Sequence, residues 1–244
     1  MKDREIDELL KGAKVPQDPE AETLERIAGS IAESMRATRP LPSRRILGGV
    51  VALICAAVAL AGAAGLGFSG FVQMSLLERC AVFSALGILI LATASELVSA
   101  MIPASRRRCS AVGLLAIAGL SLAAIMAASF RDYHTTNFLH AGLVCLAVGL
   151  LHAIPAGLLS WLVLRRGFAV DSISAGLVAG TLAGLAGVGM LELHCPNFQA
   201  AHVLVWHLGA LLVSAGLGAL CGWAVASTLR NQRIAASGSA TDRK

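Results

Sequence analysis

The chain of 244 residues is 56% hydrophobic and only 14% charged, and its mean hydropathy is +0.73. This composition excludes an ordinary soluble domain and indicates several membrane-spanning segments. The net charge of +5 does not require a nucleic-acid partner, because the basic residues flank the apolar segments, as they do in membrane proteins.

Residues 1–45 are predicted to form a cytoplasmic tail, because they are polar and lack the short apolar core of a cleavable signal peptide. A first short helix has Ile6, Leu9 and Leu10 on one face, and "VPQDP" ends it. A second helix follows this break and has an apolar stripe at helical spacing. This stripe, hereafter the tail stripe, comprises Leu24, Ile27, Ile31 and Met35.

The tail stripe has two candidate partners. Short amphipathic helices cannot bury much core alone, so these lie either on lipid or against each other, or bind a cytoplasmic protein. The tail contains nine basic and nine acidic residues, whereas helices that lie on lipid are usually basic. The charge balance therefore favours a protein partner.

Six segments are apolar enough to cross a bilayer, which takes about 20 residues. Because backbone groups in lipid must satisfy one another, these segments are predicted to be helices. The predicted spans are Ile46–Phe68, Cys80–Ile102, Ala111–Phe130, Phe138–Leu164, Ile173–Leu193 and Ala201–Ser227. The predicted fold is an all-α membrane protein with a tail (1–45), a six-helix membrane domain (46–228) and a cytoplasmic C-terminal tail (229–244).

Lys and Arg are concentrated at alternate ends of the spans. One side carries Arg36, Arg39, Arg44, Arg45, Arg106, Arg107, Arg108, Arg165, Arg166, Arg230, Arg233, Arg243 and Lys244. The loops on the other side carry only Arg79 and Arg131. Because positively charged loops stay in the cytoplasm, both termini are predicted to be cytoplasmic, and "LELHCPNFQ" is predicted to face outward.

Cysteine and histidine residues collect near the predicted outer side. His194 and Cys195 lie in the loop before the sixth span, and His202 lies at the start of that span. His207 follows roughly 9 Å along the sixth helix, and Cys145 lies roughly 10 Å inside the fourth. These residue types bind soft metal ions and undergo redox chemistry, although their spacing is not a recognised zinc motif. They form the predicted sensor site, with Cys145 and Cys195 as metal ligands.

The cysteines are not all expected to be functional. Cys195 lies close to the expected start of the sixth helix and beside His194, and both features favour a thiolate. By contrast, Cys55 and Cys221 lie inside apolar spans, where a lone cysteine usually packs as a small apolar side chain.

Two stretches resemble a known family of membrane regulators. "LHCPNFQAAHVLVWHLG" at 193–209 resembles the Leu-His-Cys-Pro…Trp-His/Tyr…Gly signature of NrsF-like anti-sigma factors. "CLAVGLLHAIPAGLLSWLVLRRG" at 145–167 is similar to the family's Cys…Pro…Arg-Arg-Gly stretch, with Ile154 and Pro155 where the family has a double proline.

The resemblance implies a six-span protein of the bacterial inner membrane that negatively regulates an extracytoplasmic-function sigma factor and is not an enzyme. It also implies that two periplasm-facing cysteines, which match Cys145 and Cys195, sense heavy metals or related stress. We expect the tail to bind the sigma factor and to release it when a soft metal ion or an oxidant engages these cysteines. Transient metal ligation and a disulfide both stay open; no constitutive cofactor and no direct nucleic-acid contact are expected.

Two other classes of protein stay open. A small transporter or channel would use Glu96 and His152, because ionisable groups inside a membrane often mark a pathway. Glu96, however, lies near the cytoplasmic end of its span, where an arginine of "RRR" at 106–108 can pair with it. A b-type haem protein would need histidines on facing helices, and the sequence places no clear pair at matching depth.

Overall fold

The computed structural model describes residues 21–34, 42–102, 105, 109–134, 137–165 and 171–241. The predicted helix around Ile6 and the stripe residue Met35 lie outside these residues. The helices are α1 (Ala21–Ser34), α2 (Arg44–Leu66), α3 (Ser69–Gln73), α4 (Leu76–Met101), α5 (Ala111–Ser129), α6 (Phe138–Leu164), α7 (Ser172–His194), α8 (Ala200–His202) and α9 (Leu208–Thr241). A π-helical turn, Val203–His207, joins the last two helices.

The predicted all-α architecture with six membrane-spanning helices is confirmed. Helices α2, α4, α5, α6 and α7 are each long and apolar enough to cross a membrane, and so is the continuous segment Ala200–Asn231. Within the described residues the only β pairing is an isolated bridge between Asp132 and Gln199. Contacts divide the chain into two units, Met1–Leu41, which contains α1, and Pro42–Lys244, which contains the helix bundle.

Local capping residues set several of the helix starts. Helix α4 begins at Leu76, earlier than the predicted Cys80, because Ser75 and Glu78 form a capping box. The Ser75 amide donates to the Glu78 carboxylate at 2.7 Å, and the Glu78 amide donates to the Ser75 hydroxyl at 3.3 Å. These bonds satisfy donors that would otherwise be exposed at the helix end.

Helix α7 is the central element of the bundle. It contacts α2, α4, α5, α6 and α9, and every residue from Val178 to Leu193 is buried. Because lipid also accommodates apolar side chains, the burial of α7 reflects the close approach of the other helices and not its apolarity alone. The small residues of α7 allow several neighbours to approach it closely.

Helices α7 and α9 cross closely at glycines that recur every fourth position, Gly176 and Gly180 on α7 and Gly218 and Gly222 on α9. A Cβ atom added to Gly218 would overlap the carbonyl oxygen of Gly176 and would lie 2.8 Å from the Gly180 Cα. Gly216 lies on the same helix, and nothing would lie within 4 Å of its added Cβ. The crossing therefore depends on particular glycines and not on a general flexibility of α9.

Gly218→Leu is expected to destabilise the bundle by about 1–3 kcal/mol or more, because the side chain must push two backbones apart. The matched control, Gly216→Leu, adds the same side chain to an open position and should leave stability close to that of the wild type. The midpoint of thermal unfolding in detergent measures both effects. Equal midpoints for the two variants would contradict the close crossing.

Glu96 is buried near the end of α4 and has a defined partner. Its Oε1 atom lies 3.4 Å from Nη2 of Arg44, at the start of α2. The arginines at 106–108, which the sequence offered as partners, lie outside the described residues. The ion pair accounts for the burial of Glu96, since a buried charge is costly unless it is paired.

Candidate metal and redox site

Two cysteines that are far apart in sequence meet near the start of α6. The Sγ atoms of Cys145 and Cys195 are 3.5 Å apart, and both residues are free thiols. Cys145 lies about two turns into α6, and Cys195 directly follows α7. The predicted sensor cysteines therefore join the side of one spanning helix to the end of another.

Two histidines complete the cluster. Nε2 of His202 lies 3.7 Å from the Cys195 sulfur. One ligand atom from each of Cys145, Cys195, His202 and His207 lies within 4.8 Å of all the others. We name this group the Cys2His2 cluster. Cys145 is half-buried, whereas the other three residues are buried, so the cluster is most accessible from the Cys145 side.

The π-helical turn is what brings the two histidines together. In an α-helix each residue advances about 100° around the axis, so residues five apart point about 140° apart. In a π-helical turn the backbone bonds connect residues five apart instead. The rings of His202 and His207 consequently lie next to each other, with their centroids 5.4 Å apart.

A buried carboxylate forms a hydrogen bond with one histidine of the cluster. Nδ1 of His207 donates to Oε1 of Glu192 at 2.6 Å, and both side chains are almost completely buried. Glu192 was not among the residues predicted for the site. One signal pointed to it: a carboxylate near the end of an apolar span requires a partner.

His194 does not join the cluster, although the sequence placed it beside Cys195. It is the last residue of α7, and its Nδ1 atom donates to the carbonyl oxygen of Gly67 at 3.1 Å. Here α3 approaches the end of α7 so closely that a Cβ atom on Gly70 would lie 2.7 Å from the carbonyl oxygens of Glu192 and Cys195. His194 therefore ties the end of α7 to the link between α2 and α3.

The expected activation of Cys195 is wrong in its direction. Cys195 caps the C-terminus of α7, where its amide donates to the Leu191 carbonyl at 2.7 Å; it does not lie at a helix N-terminus. Its hydrogen bond with Cys145 and its burial raise the pKa of the Cys195 thiol, and the two cluster histidines oppose this shift. The Cys195 thiol is therefore favoured over its thiolate, and a metal ion would have to displace its proton.

Aromatic packing holds the surrounding loops. The indole of Trp206 occupies the space above Gly142, one turn before Cys145, and any side chain at Gly142 would overlap it. Trp206 also contacts Phe138 with a ring-centroid distance of 5.4 Å. The stacked rings of Phe130 and Phe198, 5.0 Å apart, join the loop after α5 to the loop before α8.

The other candidate groups have ordinary contacts. Nδ1 of His152 donates to the Val148 carbonyl of its own helix at 2.9 Å, and its ring packs against Gly62. Cys55 is buried in the core as expected, whereas Cys221 is exposed on α9. The two buried cluster histidines are neighbours on one turn and do not face each other across the bundle, as haem ligands would have to.

The tail stripe is exposed on α1. The exposed fractions of Leu24, Ile27 and Ile31 are 51%, 47% and 51%. The charged residues Glu25 and Arg26 lie on the same helix and are also exposed. Helix α1 therefore presents apolar side chains to its surroundings, as an amphipathic helix that binds a partner does.

Comparison with known proteins places the chain in one family. The family model described as negative regulator of sigma F, NrsF, matches residues 31–227. The matched region contains the first five spanning helices, the sixth as far as residue 227 and the complete Cys2His2 cluster, and it begins within α1. No curated protein and no solved structure matches the chain.

Proposed function

Because the chain belongs to the NrsF family of negative regulators of sigma F, we propose that it holds an extracytoplasmic-function sigma factor at the bacterial inner membrane. The tail binds the sigma factor while no inducer is present. A soft metal ion or an oxidant acts on Cys145 and Cys195 at the periplasmic side, and the sigma factor is then released. The role is regulatory and requires no catalysis.

One observation carries this proposal: the 3.5 Å contact between the two sulfur atoms. A metal ion can bind both sulfurs once each thiol has lost its proton. Alternatively, an oxidant can remove two electrons and two protons from the pair and leave one S–S bond. That bond is about 2.05 Å long, so only a small approach of α6 and the end of α7 is needed.

Because the two cysteines belong to different parts of the bundle, a signal at them can change how the helices pack. Any change in their separation moves α6 relative to α7, which contacts nearly every other spanning helix. Pro155 lies inside α6 and removes one backbone hydrogen bond, so α6 has a natural place to bend. In the sequence the tail precedes α2, and at the start of α2 the side chain of Arg44 lies 3.4 Å from Glu96 of α4.

The proposal requires that the cysteines face the periplasm and both termini face the cytoplasm. A reporter fused after Lys244 should be active only in the cytoplasm, whereas a reporter inserted at Asn197 should be active only in the periplasm. The physical reason is the bias of Lys and Arg toward one set of loops. A periplasmic C-terminus would reverse every loop and would contradict the sensing mechanism.

Retention of the sigma factor tests the function itself. The full-length protein, purified from membranes, should carry a sigma factor of the same cell, and a variant that lacks residues 1–41 should lose it. The membrane unit Pro42–Lys244 forms its own set of contacts, so the truncated protein should remain in the membrane. Equal retention by both proteins would rule out the tail as the binding segment.

A further inference from the structure

We propose that Cys145, Cys195, His202 and His207 form a single four-coordinate site for a divalent ion of the zinc group, and that Glu192 is a positioning residue for His207. This inference rests on the proposed function and deepens it. The proposed function requires only an unspecified soft metal ion bound by two cysteines, whereas this inference specifies the four ligands and the class of ion.

The spacing of the ligand atoms fits a tetrahedron. Zinc–sulfur bonds of about 2.3 Å and zinc–nitrogen bonds of about 2.0–2.1 Å give tetrahedral edges of about 3.8 Å between two sulfurs and about 3.6 Å between sulfur and nitrogen. The Cys145–Cys195 separation is 3.5 Å, and the Cys195–His202 separation is 3.7 Å. Since all four ligand atoms lie within 4.8 Å of one another, a metal ion would need only a small contraction.

The hydrogen bond from Glu192 determines which nitrogen of His207 is left for a metal. Nδ1 of His207 is used in the 2.6 Å bond to the carboxylate. Nε2 is buried and makes no hydrogen bond of normal geometry among the described residues, while His207 also interacts with the Cys195 thiol. A buried nitrogen without such a hydrogen bond is uncommon and requires an explanation. A metal ion bound at Nε2 provides one, and a carboxylate behind a metal-binding histidine is a frequent arrangement.

The ligand types select the class of ion. Two sulfurs and two imidazoles in a closed, four-coordinate arrangement suit zinc-group ions. Hard cations such as Mg²⁺ and Ca²⁺ prefer six or more oxygen ligands, which this cluster does not offer. As the two metal–sulfur bonds form, two thiol protons leave to solvent. The two thiolates then neutralise the divalent ion, which reduces the cost of burying charge.

Binding of Co²⁺ to the full-length protein in detergent tests the site, because tetrahedral Co²⁺ has intense visible bands and its bond to thiolate adds a charge-transfer band. The wild type should bind one Co²⁺ per chain with both features, and Cd²⁺ should displace it. His202→Ala and His207→Ala should each weaken binding at least about 10-fold and change the visible bands. His202→Gln, which keeps a polar side chain of similar size, separates loss of a ligand from loss of fold.

Glu192 provides the positioning test, and an exposed histidine outside the cluster provides the control. Glu192→Ala should weaken Co²⁺ binding about 10–100-fold while the visible bands keep their shape, because the ligands are unchanged. Glu192→Gln should recover part of the affinity, since its amide oxygen can still accept the His207 N–H. His140→Ala, at an exposed histidine of α6 outside the cluster, should bind as the wild type does.

Two results would overturn the inference. If the double variant His202→Ala, His207→Ala keeps the affinity and spectrum of the wild type, the cysteines alone hold the ion. If Glu192→Ala binds normally, the carboxylate does not position His207. Because the assay measures metal binding and not retention of the sigma factor, its outcome is independent of the proposed release. If the protein binds the metal ion normally and still retains the sigma factor undiminished, the proposed function is refuted. The proposed metal site would not be affected by that result.

Discussion

Replacing either Cys145 or Cys195 by serine is expected to abolish induction by soft metals and by oxidants, while the sigma factor remains bound in untreated cells. The sulfur atoms are 3.5 Å apart, and serine keeps the approximate size of cysteine without its metal affinity or redox chemistry. A sigma-dependent transcriptional reporter, measured across a range of inducer concentrations, gives the result. Cys221→Ser, at an exposed thiol outside the cluster, should respond as the wild type does.

The two cysteine substitutions should also be strongly non-additive. A bridge between α6 and the end of α7 needs two ends, so the double variant should be no worse than either single variant. A double variant that responds at the wild-type concentration of inducer would refute the sensing role. A single variant that is active without inducer would instead mean that the cysteine stabilises the inactive packing.

Substitution of Leu24 and Ile27 together by glutamate is expected to activate the sigma-dependent reporter without any inducer. Both side chains are about half exposed on α1. Burial of each against a partner would contribute about 1.5–3 kcal/mol, so loss of both corresponds to at least about 100-fold weaker binding. The membrane unit should remain inserted, because neither residue belongs to it.

Arg26→Glu is the matched control for the tail stripe. It changes the net charge by the same amount as the double substitution, but it lies on the opposite face of α1. It should therefore leave the reporter silent. If the double stripe variant is also silent, while deletion of residues 1–41 activates the reporter, the sigma factor binds another part of the tail.

Much of the fold could be predicted from local features of the sequence. The spanning helices follow from apolar length. Glycines at every fourth position allow α7 and α9 to approach each other closely. The start of α4 was placed too late, because hydropathy does not register the capping box of Ser75 and Glu78. Capping residues can extend a helix beyond its apolar segment, so they have to be identified in the sequence independently of its hydropathy.

The candidate site was predictable only in part. Cys145 and Cys195 stood out through their residue type and their position near one side of the membrane. His202 and His207 could not be placed on one turn, because the π-helical geometry is a result of packing and not of the five-residue spacing. Cys195 was expected close to the start of the next helix, whereas the structure makes it the C-cap of α7. Its hydrogen bond with Cys145 and its burial, neither of which the sequence shows, raise the pKa of its thiol.

The affinity of the sigma factor for the full-length protein in lipid nanodiscs, measured with and without Cd²⁺, tests the central claim most directly. Cd²⁺ should sharply weaken the binding to the wild type, because the ion joins Cys145 to Cys195 and changes the packing of α6 against α7. The Cys145→Ser protein should bind the sigma factor equally well in both conditions, which excludes a direct effect of Cd²⁺ on the sigma factor or the tail. An unchanged affinity for a wild-type protein that has bound Cd²⁺ would contradict the claim.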